Sequence, residues 1–237
     1  MIDTSPQRDS VLLLTMSRPR YISIEGNIGT GKSTFLRLLT AELENSIIVP
    51  EPVDAWTNNV DANGESILDK FYAKKSRWSY AFQMLAFMSR LKDLQNLSYD
   101  STTQYVFGER CLQTDKEVFA RQLYADGCIS YLEWSLYEDW FSWLNGDKGI
   151  TSQLKTPDYH IYLRASPEVC ASRIIKRDRR AEHNITISYL KHIHNRHDNW
   201  LLDSDKGNVL IIDCDKDFES SPEYFKTIMT RIREFLK

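Results

Sequence analysis

Tyr21-Ile22-Ser23-Ile24-Glu25-Gly26-Asn27-Ile28-Gly29-Thr30-Gly31-Lys32-Ser33-Thr34-Phe35-Leu36-Arg37-Leu38 is the stretch from which the rest of this sequence is read. Tyr21, Ile22 and Ile24 form a short β-rich run. Gly26 to Gly31 is too rich in glycine to hold regular structure. From Ser33 the apolar spacing Phe35, Leu36, Leu38, Leu39 becomes helical. The order strand, glycine loop, helix carries G-x-x-x-x-G-K-S as Gly26, Gly31, Lys32 and Ser33. Such a loop, here Gly26, Asn27, Ile28, Gly29, Thr30 and Gly31 with Thr34 in the first helical turn, turns backbone N–H groups onto phosphate oxygens, and the new helix adds its positive end. Lys32 is placed to reach the β/γ-phosphates and the Ser33 hydroxyl to ligate Mg²⁺. An ordinary glycine-rich turn is the plain alternative, but strand and helix flank this loop as the motif requires. The stretch predicts a nucleoside triphosphate site.

Outward from that loop, composition sets bounds. The chain has 237 residues and a formal net charge of −3. That suits one large α/β domain and gives no footprint for nucleic acid or an acidic membrane. The four cysteines, Cys111, Cys128, Cys170 and Cys214, contain no C-x-x-C pair and read as reduced thiols in a cytosol-like compartment. The apolar run 11–16 is too short for a signal h-region or a membrane span. Asp3 and Asp9 argue against a transit peptide. Residues 1–18 are expected to be a flexible tail and 19–237 a single domain, cytoplasmic with the nucleus left open.

Further strands are expected at 46–49, 104–108, 159–163 and 208–212, with helices at about 33–44, 77–97, 130–144 and 222–236. Residues 57–66, with Asn63-Gly64, read as loop. Thr114 and Glu117 read as the N-cap and N3 of a helix. Strands alternating with helices predict a three-layer α/β/α fold around a parallel sheet of about five strands. Pro50 and Pro52 hold Glu51 extended at a strand's C-terminal end, where open parallel sheets carry their ligands. Glu109-Arg110 ends the next strand in the same way. Gln83 and Arg90 lie two turns apart on an otherwise apolar helix stripe; solvated edge and base-reading pair both fit that spacing. The aromatic stripe Tyr131, Trp134, Tyr137, Trp140, Phe141, Trp143 reads as core or a helix–helix interface. Arg173, Lys176, Arg177 and Arg179 read either as a solvated face, as a nuclear-localisation patch, or as a lid that grips phosphate. His192, His194 and His197 lack the spacing of a zinc site.

Glu25-Gly-Asn-Ile-Gly-x-Gly-Lys-Ser33, Val49-Pro-Glu-Pro52, Trp78-x-x-x-Phe82-Gln83, Glu109-Arg110, Arg173-x-x-x-Arg177-x-Arg179 and Asp217-Phe218 occur here in one order. In this the chain resembles the deoxynucleoside kinases, the family of deoxycytidine kinase, deoxyguanosine kinase and mitochondrial-type thymidine kinase. The resemblance implies a P-loop kinase fold and ATP-dependent phosphorylation of a deoxynucleoside 5′-hydroxyl, with Mg²⁺, in a homodimer. It implies that Glu51 is the general base, held with the 5′-oxygen by Arg110, and that Glu109 stands with Ser33 on the Mg²⁺ side. By the same resemblance Tyr72 and Glu182 bind the sugar 3′-hydroxyl. Gln83 reads the base edge, Phe119 stacks on the base, and Trp56 and Phe82 belong to the cleft. Arg173, Arg177 and Arg179 are the lid arginines, and Asp217 and Phe218 belong to the loop over the ATP adenine. An Arg90–Asp115 pair is the type found in the cytidine- and purine-preferring members. The family's Glu-Arg-Ser reads Glu109-Arg110-Cys111 here; cysteine keeps the size and weakens the hydrogen bond.

A nucleoside monophosphate kinase would need cations where Glu51 lies, and a nucleotide-dependent switch has no use for a base and a sugar-reading pair together.

Overall fold

The computed structural model describes residues 18–146, 156–202 and 207–237. The proposed tail falls almost wholly outside them. Five strands form one sheet: β1 Arg20–Glu25, β2 Ser46–Val49, β3 Tyr105–Glu109, β4 Tyr159–Arg164 and β5 Val209–Asp213. All pair in parallel in the order β2-β3-β1-β4-β5. The chain therefore leaves central β1 for the edge, returns to fill the gap with β3, and crosses β1 again to reach β4. That reversal puts a crevice at the C-terminal ends of β1 and β3, where parallel sheets bind ligands.

Period-two alternation along β1 separates two cores. Ile22 and Ile24 face one way, with Phe107, Ile161, Leu163 and Ile212. They are covered by α1 (Lys32–Glu42) through Phe35 and Leu39 and by the C-terminal helix Pro222–Phe235 through Ile228 and Ile232. Tyr21 faces the other way, with Val49 and Val106, beneath a second group of helices. These are α2 (Val53–Asn58), α3 (Ile67–Ala73), α4 (Lys75–Asn96), a helical run from Leu112 to Ala125, and Tyr131–Asn145. On this face β1 continues with Ser23 and Glu25, both fully buried. The middle of the sheet is thus apolar on one side, and β1 turns polar toward the loop on the other.

The three-layer parallel reading holds, with strand bounds displaced by one residue at most positions. Two short helices, α2 and α3, were not legible as periodic patterns. Residues 57–66, expected as loop, begin with the last residues of α2 and close through a Val60–Ser66 bridge around a turn at Gly64. Ser66 then caps α3 in a capping box with Asp69.

The Thr114/Glu117 cap is corrected. Cys111 is the N-cap and Thr114 its N3 partner, the Thr114 hydroxyl accepting from the Cys111 N–H at 3.1 Å. Thr114 cannot cap because its backbone is already helical. The helix then loosens into a π-helical stretch, Asp115–Ala120, before tightening over Arg121–Ala125. Such a bulge re-aims side chains, and here it carries Asp115 and Phe119 toward the crevice. Among the described residues no helix is long and apolar enough to cross a membrane.

Candidate active site

The glycine loop is shaped by its backbone. Gly29 has φ +84° and Gly31 φ +93°. A Cβ on Gly29 would stand 2.6 Å from the Cys170 carbonyl oxygen, so no other residue fits there. Asn27 pins the loop: its amide donates to the Leu190 carbonyl at 2.8 Å and its side-chain oxygen accepts from the Ile28 N–H. Thr30 and Lys32 both donate to the Asn27 carbonyl at 3.0 Å. Burial, and then the charge of Arg110, pulls the Lys32 ammonium down to about 8. Thr34 lies in the first turn of α1, one residue after Ser33.

Across the crevice, Glu51 and Arg110 meet. Arg110 Nε donates to Glu51 Oε1 at 2.8 Å while its Nη1 donates to the Gly26 carbonyl at 2.7 Å. One side chain thus joins the β2 end to the phosphate loop. The backbone cost of this placement is visible, because Arg110 sits at φ +67°, left-handed for a non-glycine residue. Burial alone would raise the Glu51 carboxyl, but Arg110, Lys32 and Arg90 outweigh it and hold the group at about 2. Ser33 Oγ donates to both oxygens of Glu109, at 3.0 and 3.1 Å. Hydroxyl and carboxylate beside a phosphate loop are the hard oxygen donors that Mg²⁺ takes.

From this point a cavity of about 290 Å³ runs away from the loop. Its walls include Ile28, Gly29, Lys32, Ser33, Glu51, Trp56, Tyr72, Phe82, Gln83, Glu109, Arg110, Asp115, Phe119, Arg177, Arg179 and Glu182. The structure therefore gathers at one cavity most of the residues singled out in the sequence. Phe82 stacks on Phe71 at 4.5 Å and meets Trp56 edge-on at 5.4 Å. Trp56 donates to Ser89 Oγ at 3.0 Å. Gln83 Oε1 is buried and has no hydrogen-bond partner among the described residues. Arg110 lies 4.8 Å over the Phe119 ring, a cation–π contact that orients both. Burial, with the charges of Glu182 and Glu51, raises the Tyr72 hydroxyl, so it stays protonated and able to donate.

Nine of the expected residues stand outside the walls: Gly26, Asn27, Thr30, Gly31 and Thr34 in or just after the loop, and Arg90, Arg173, Asp217 and Phe218 beyond it. Arg90 is buried behind Asp115: its Nε donates to Asp115 at 2.9 Å, Nη1 to the Glu109 carbonyl at 2.6 Å and Nη2 to Glu51 at 3.5 Å. Burial opposes its charge, but Asp115 and Glu51 raise its pKa. It acts through its partners. Arg173 donates to the Thr30 carbonyl at 3.3 Å, beside the loop. Phe218 packs edge-on against Phe35 at 5.6 Å and covers Gly31. Asp217 is occupied by its own turn, accepting from the Glu219 and Ser220 N–H groups.

Arg177 and Arg179 both donate to Glu182. Arg173 and Arg177 share a face of the helix Pro167–Arg177, and Asp178, at φ +52°, ends that helix and turns Arg179 inward. The cavity also has walls that the sequence reading passed over, namely Val53, Leu68, Phe71 and Tyr189. Val53, Leu68 and Phe71 belong to the two short helices. The Ser66-x-x-Asp69 capping box was the one signal that could have found α3.

A family model for deoxynucleoside kinases matches residues 22–237. Deoxycytidine kinase of Mus musculus is 35% identical over 245 residues, covering 93% of this chain and 92% of that protein. Deoxycytidine kinase of Homo sapiens matches with the same identity and coverage. The mitochondrial deoxyguanosine kinase of Xenopus laevis is 31% identical over 241 residues, covering 92% of this chain and 89% of that protein.

Proposed function

The chain belongs to the deoxynucleoside kinase family, and from that premise we propose that this cavity passes the γ-phosphoryl group of ATP to the 5′-hydroxyl of deoxycytidine or a purine deoxynucleoside. Membership makes the protein a kinase of deoxynucleosides; the donor, the base and the residue roles are our reading. The observation that carries it is the Glu51 carboxylate, clamped 2.8 Å from Arg110 in the same cavity as Lys32.

Phosphoryl transfer asks a protein mainly for positioning and for neutralised charge. Loop N–H groups, Lys32 and the lid arginines Arg173, Arg177 and Arg179 supply that charge around the phosphates. Ser33 and Glu109 are the residues that would hold Mg²⁺, which would offset the negative charge of the phosphates. Glu51, held at about 2, is ionised at neutral pH and is a weak base. It accepts the hydrogen bond of the 5′-hydroxyl from the start and its proton late, once the oxygen has bonded to phosphorus. Arg110 keeps Glu51 and the loop in register, since it bonds both.

Tyr72 and Glu182 bind the 3′-hydroxyl and leave no room for a 2′-hydroxyl. Phe119 stacks on the base and Gln83 reads its edge. Asp115, held from behind by Arg90, occupies the volume a thymine 5-methyl group needs. Breaking such a buried pair from one side costs about 3–5 kcal/mol, so thymidine does not displace it. Asp217 and Phe218 lie where the adenine of ATP would rest, beside Gly31. The test is a labelled phosphate-transfer panel over the four deoxynucleosides and their ribose counterparts, in wild type and in Arg90→Met/Asp115→Ala. Deoxycytidine or the purines should lead, with the ribo-series far behind, and the double substitution should move kcat/KM toward thymidine. A wild type that prefers thymidine, or an unmoved ratio, would falsify the base assignment.

The working unit is a homodimer in this reading. Along Tyr131–Asn145, Trp134, Tyr137 and Phe141 are buried, whereas Tyr131, Leu132, Trp140 and Trp143 remain exposed, Tyr131 at 77%. An exposed aromatic stripe of that kind suits a two-fold pairing of helices. Sedimentation at micromolar concentration should give twice the mass of one chain; a single-chain species would end the idea. Four free thiols suit a reducing compartment, cytosol or nucleus.

A further inference from the structure

On the second face of the sheet the polar end of β1 is unusual in what it gathers. Glu25, Cys111 and His160 each offer one ligand atom, and these atoms lie within 4.8 Å of one another. Glu25 and Cys111 are fully buried and His160 partly so. The three come from separate places: the end of β1, the residue after Arg110, and β4 beside β1 in register with Ser23.

Glu25 has hydrogen-bonding capacity to spare. Glu25 Oε1 accepts from the Thr114 hydroxyl at 2.7 Å, but Oε2 has no partner among the described residues. A buried, half-satisfied carboxylate is costly. The Tyr21 hydroxyl is likewise buried and unpartnered, and it interacts electrostatically with both Cys111 and Glu25. Cys111 Sγ meets Thr114 Oγ1 at 3.3 Å, and burial and then the neighbouring Glu25 carboxylate, to which the thiol also hydrogen-bonds, keep it protonated in the absence of a cation. Ser23 Oγ stands 2.6 Å from His160 Nδ1 and fixes the ring, as outer hydrogen bonds do for metal-binding histidines.

We propose that Glu25, Cys111 and His160 form a binding site for one borderline-soft divalent cation, Zn²⁺ above all, distinct from the Mg²⁺ position at Ser33 and Glu109. A thiolate, an imidazole and a carboxylate are zinc's own donor types. The charge balances as burial requires: the thiol releases its proton to solvent, and two anionic ligands with one neutral imidazole cancel the ion's two charges. Zinc bond lengths of roughly 2.0–2.3 Å place ligand atoms about 3.5 Å apart, so the side chains must close by roughly an ångström. Bound there, the ion would tie the residue before Gly26 to the residue after Arg110, and so stiffen the phosphate loop and the arginine together. The ion acts on the scaffold and takes no part in the transfer.

The experiment uses the full chain, reduced, stripped with chelator, reloaded with Zn²⁺ and passed over a desalting column. About one zinc per chain should remain by elemental analysis, Tm should rise, and Cys111→Ser should lose both effects. Loading with Co²⁺ should give a thiolate-to-cobalt absorption band that added Zn²⁺ removes. Zinc retained equally by Cys111→Ser, or cobalt bound without the sulfur band, overturns the proposal; the second outcome would mean binding at Ser33 and Glu109. No retained metal in the wild type overturns it too, leaving a buried water to satisfy Glu25. Should Cys111→Ser fail to fold, the cobalt spectrum of the wild type and of His160→Gln decides.

Discussion

The two ends of the cavity are built on opposite principles. At the phosphate end, Gly26 to Thr34 are consecutive, and their shape follows from local backbone chemistry: three glycines at positive φ, one lysine folded back on Asn27, one helix beginning. At the nucleoside end the walls come from the segment after β2, from α2, α3, α4, a π-helical stretch and the segment after the helix Pro167–Arg177. A contiguous loop can bind what every donor nucleotide shares. A pocket assembled from distant elements can be altered wall by wall, and under the proposed function that is where choice of acceptor would reside. Arg110 spans the two, bonding Glu51 on one side and Gly26 on the other.

Substitution at that junction should have the largest effect. Glu51→Gln keeps the shape and removes the proton acceptor, so kcat should fall by about 10²–10⁴-fold while nucleoside affinity stays within several-fold. A kcat close to that of wild type across neutral pH would show that the two ends meet through some other group.

Next comes a change confined to the phosphate end. Gly29→Ala adds a Cβ 2.6 Å from the Cys170 carbonyl at φ +84°, a strain of about 1–3 kcal/mol. Its expected signature is weaker ATP binding with deoxynucleoside binding unmoved, by calorimetry with each ligand alone. Equal losses for both ligands would mean the ends are not separable.

The smallest effect is a pH dependence. Lys32, lowered to about 8, is charged below that value and neutral above it. ATP affinity of the free enzyme should therefore decline several-fold as pH rises through about 8, and Lys32→Arg should remove that decline. Glu51 contributes in the opposite range. Its stabilisation is full above the ordinary value of 4.5 and is lost only as pH falls toward about 2, so it adds no acid limb near neutrality. An ATP affinity flat from pH 7 to 9 would sever Lys32 from the phosphate site.

What could be read in advance divides along the same line. The phosphate loop, the strand-end carboxylates and the strand–helix alternation are written in local order: glycines at fixed spacing, prolines around Glu51, runs of β-branched residues. The cap at Thr114 was misread because Cys111, a poor capping residue, does that task through the Thr114 hydroxyl. Helices α2 and α3 were missed because they last only six and seven residues, too few for a periodic signal.

Sequence alone determined the glycine loop between strand and helix, the parallel α/β class and, through several motifs in one register, the family. Each rests on interactions within a few residues or on patterns repeated along the chain. Only the tertiary structure decided that Arg90 stands behind Asp115 and touches Glu51, and that Arg110 bears a left-handed backbone to bridge two strands. It alone placed Glu25, Cys111 and His160 side by side. These are contacts between residues far apart in the chain, and their geometry is set by strand order and register, which no local pattern encodes.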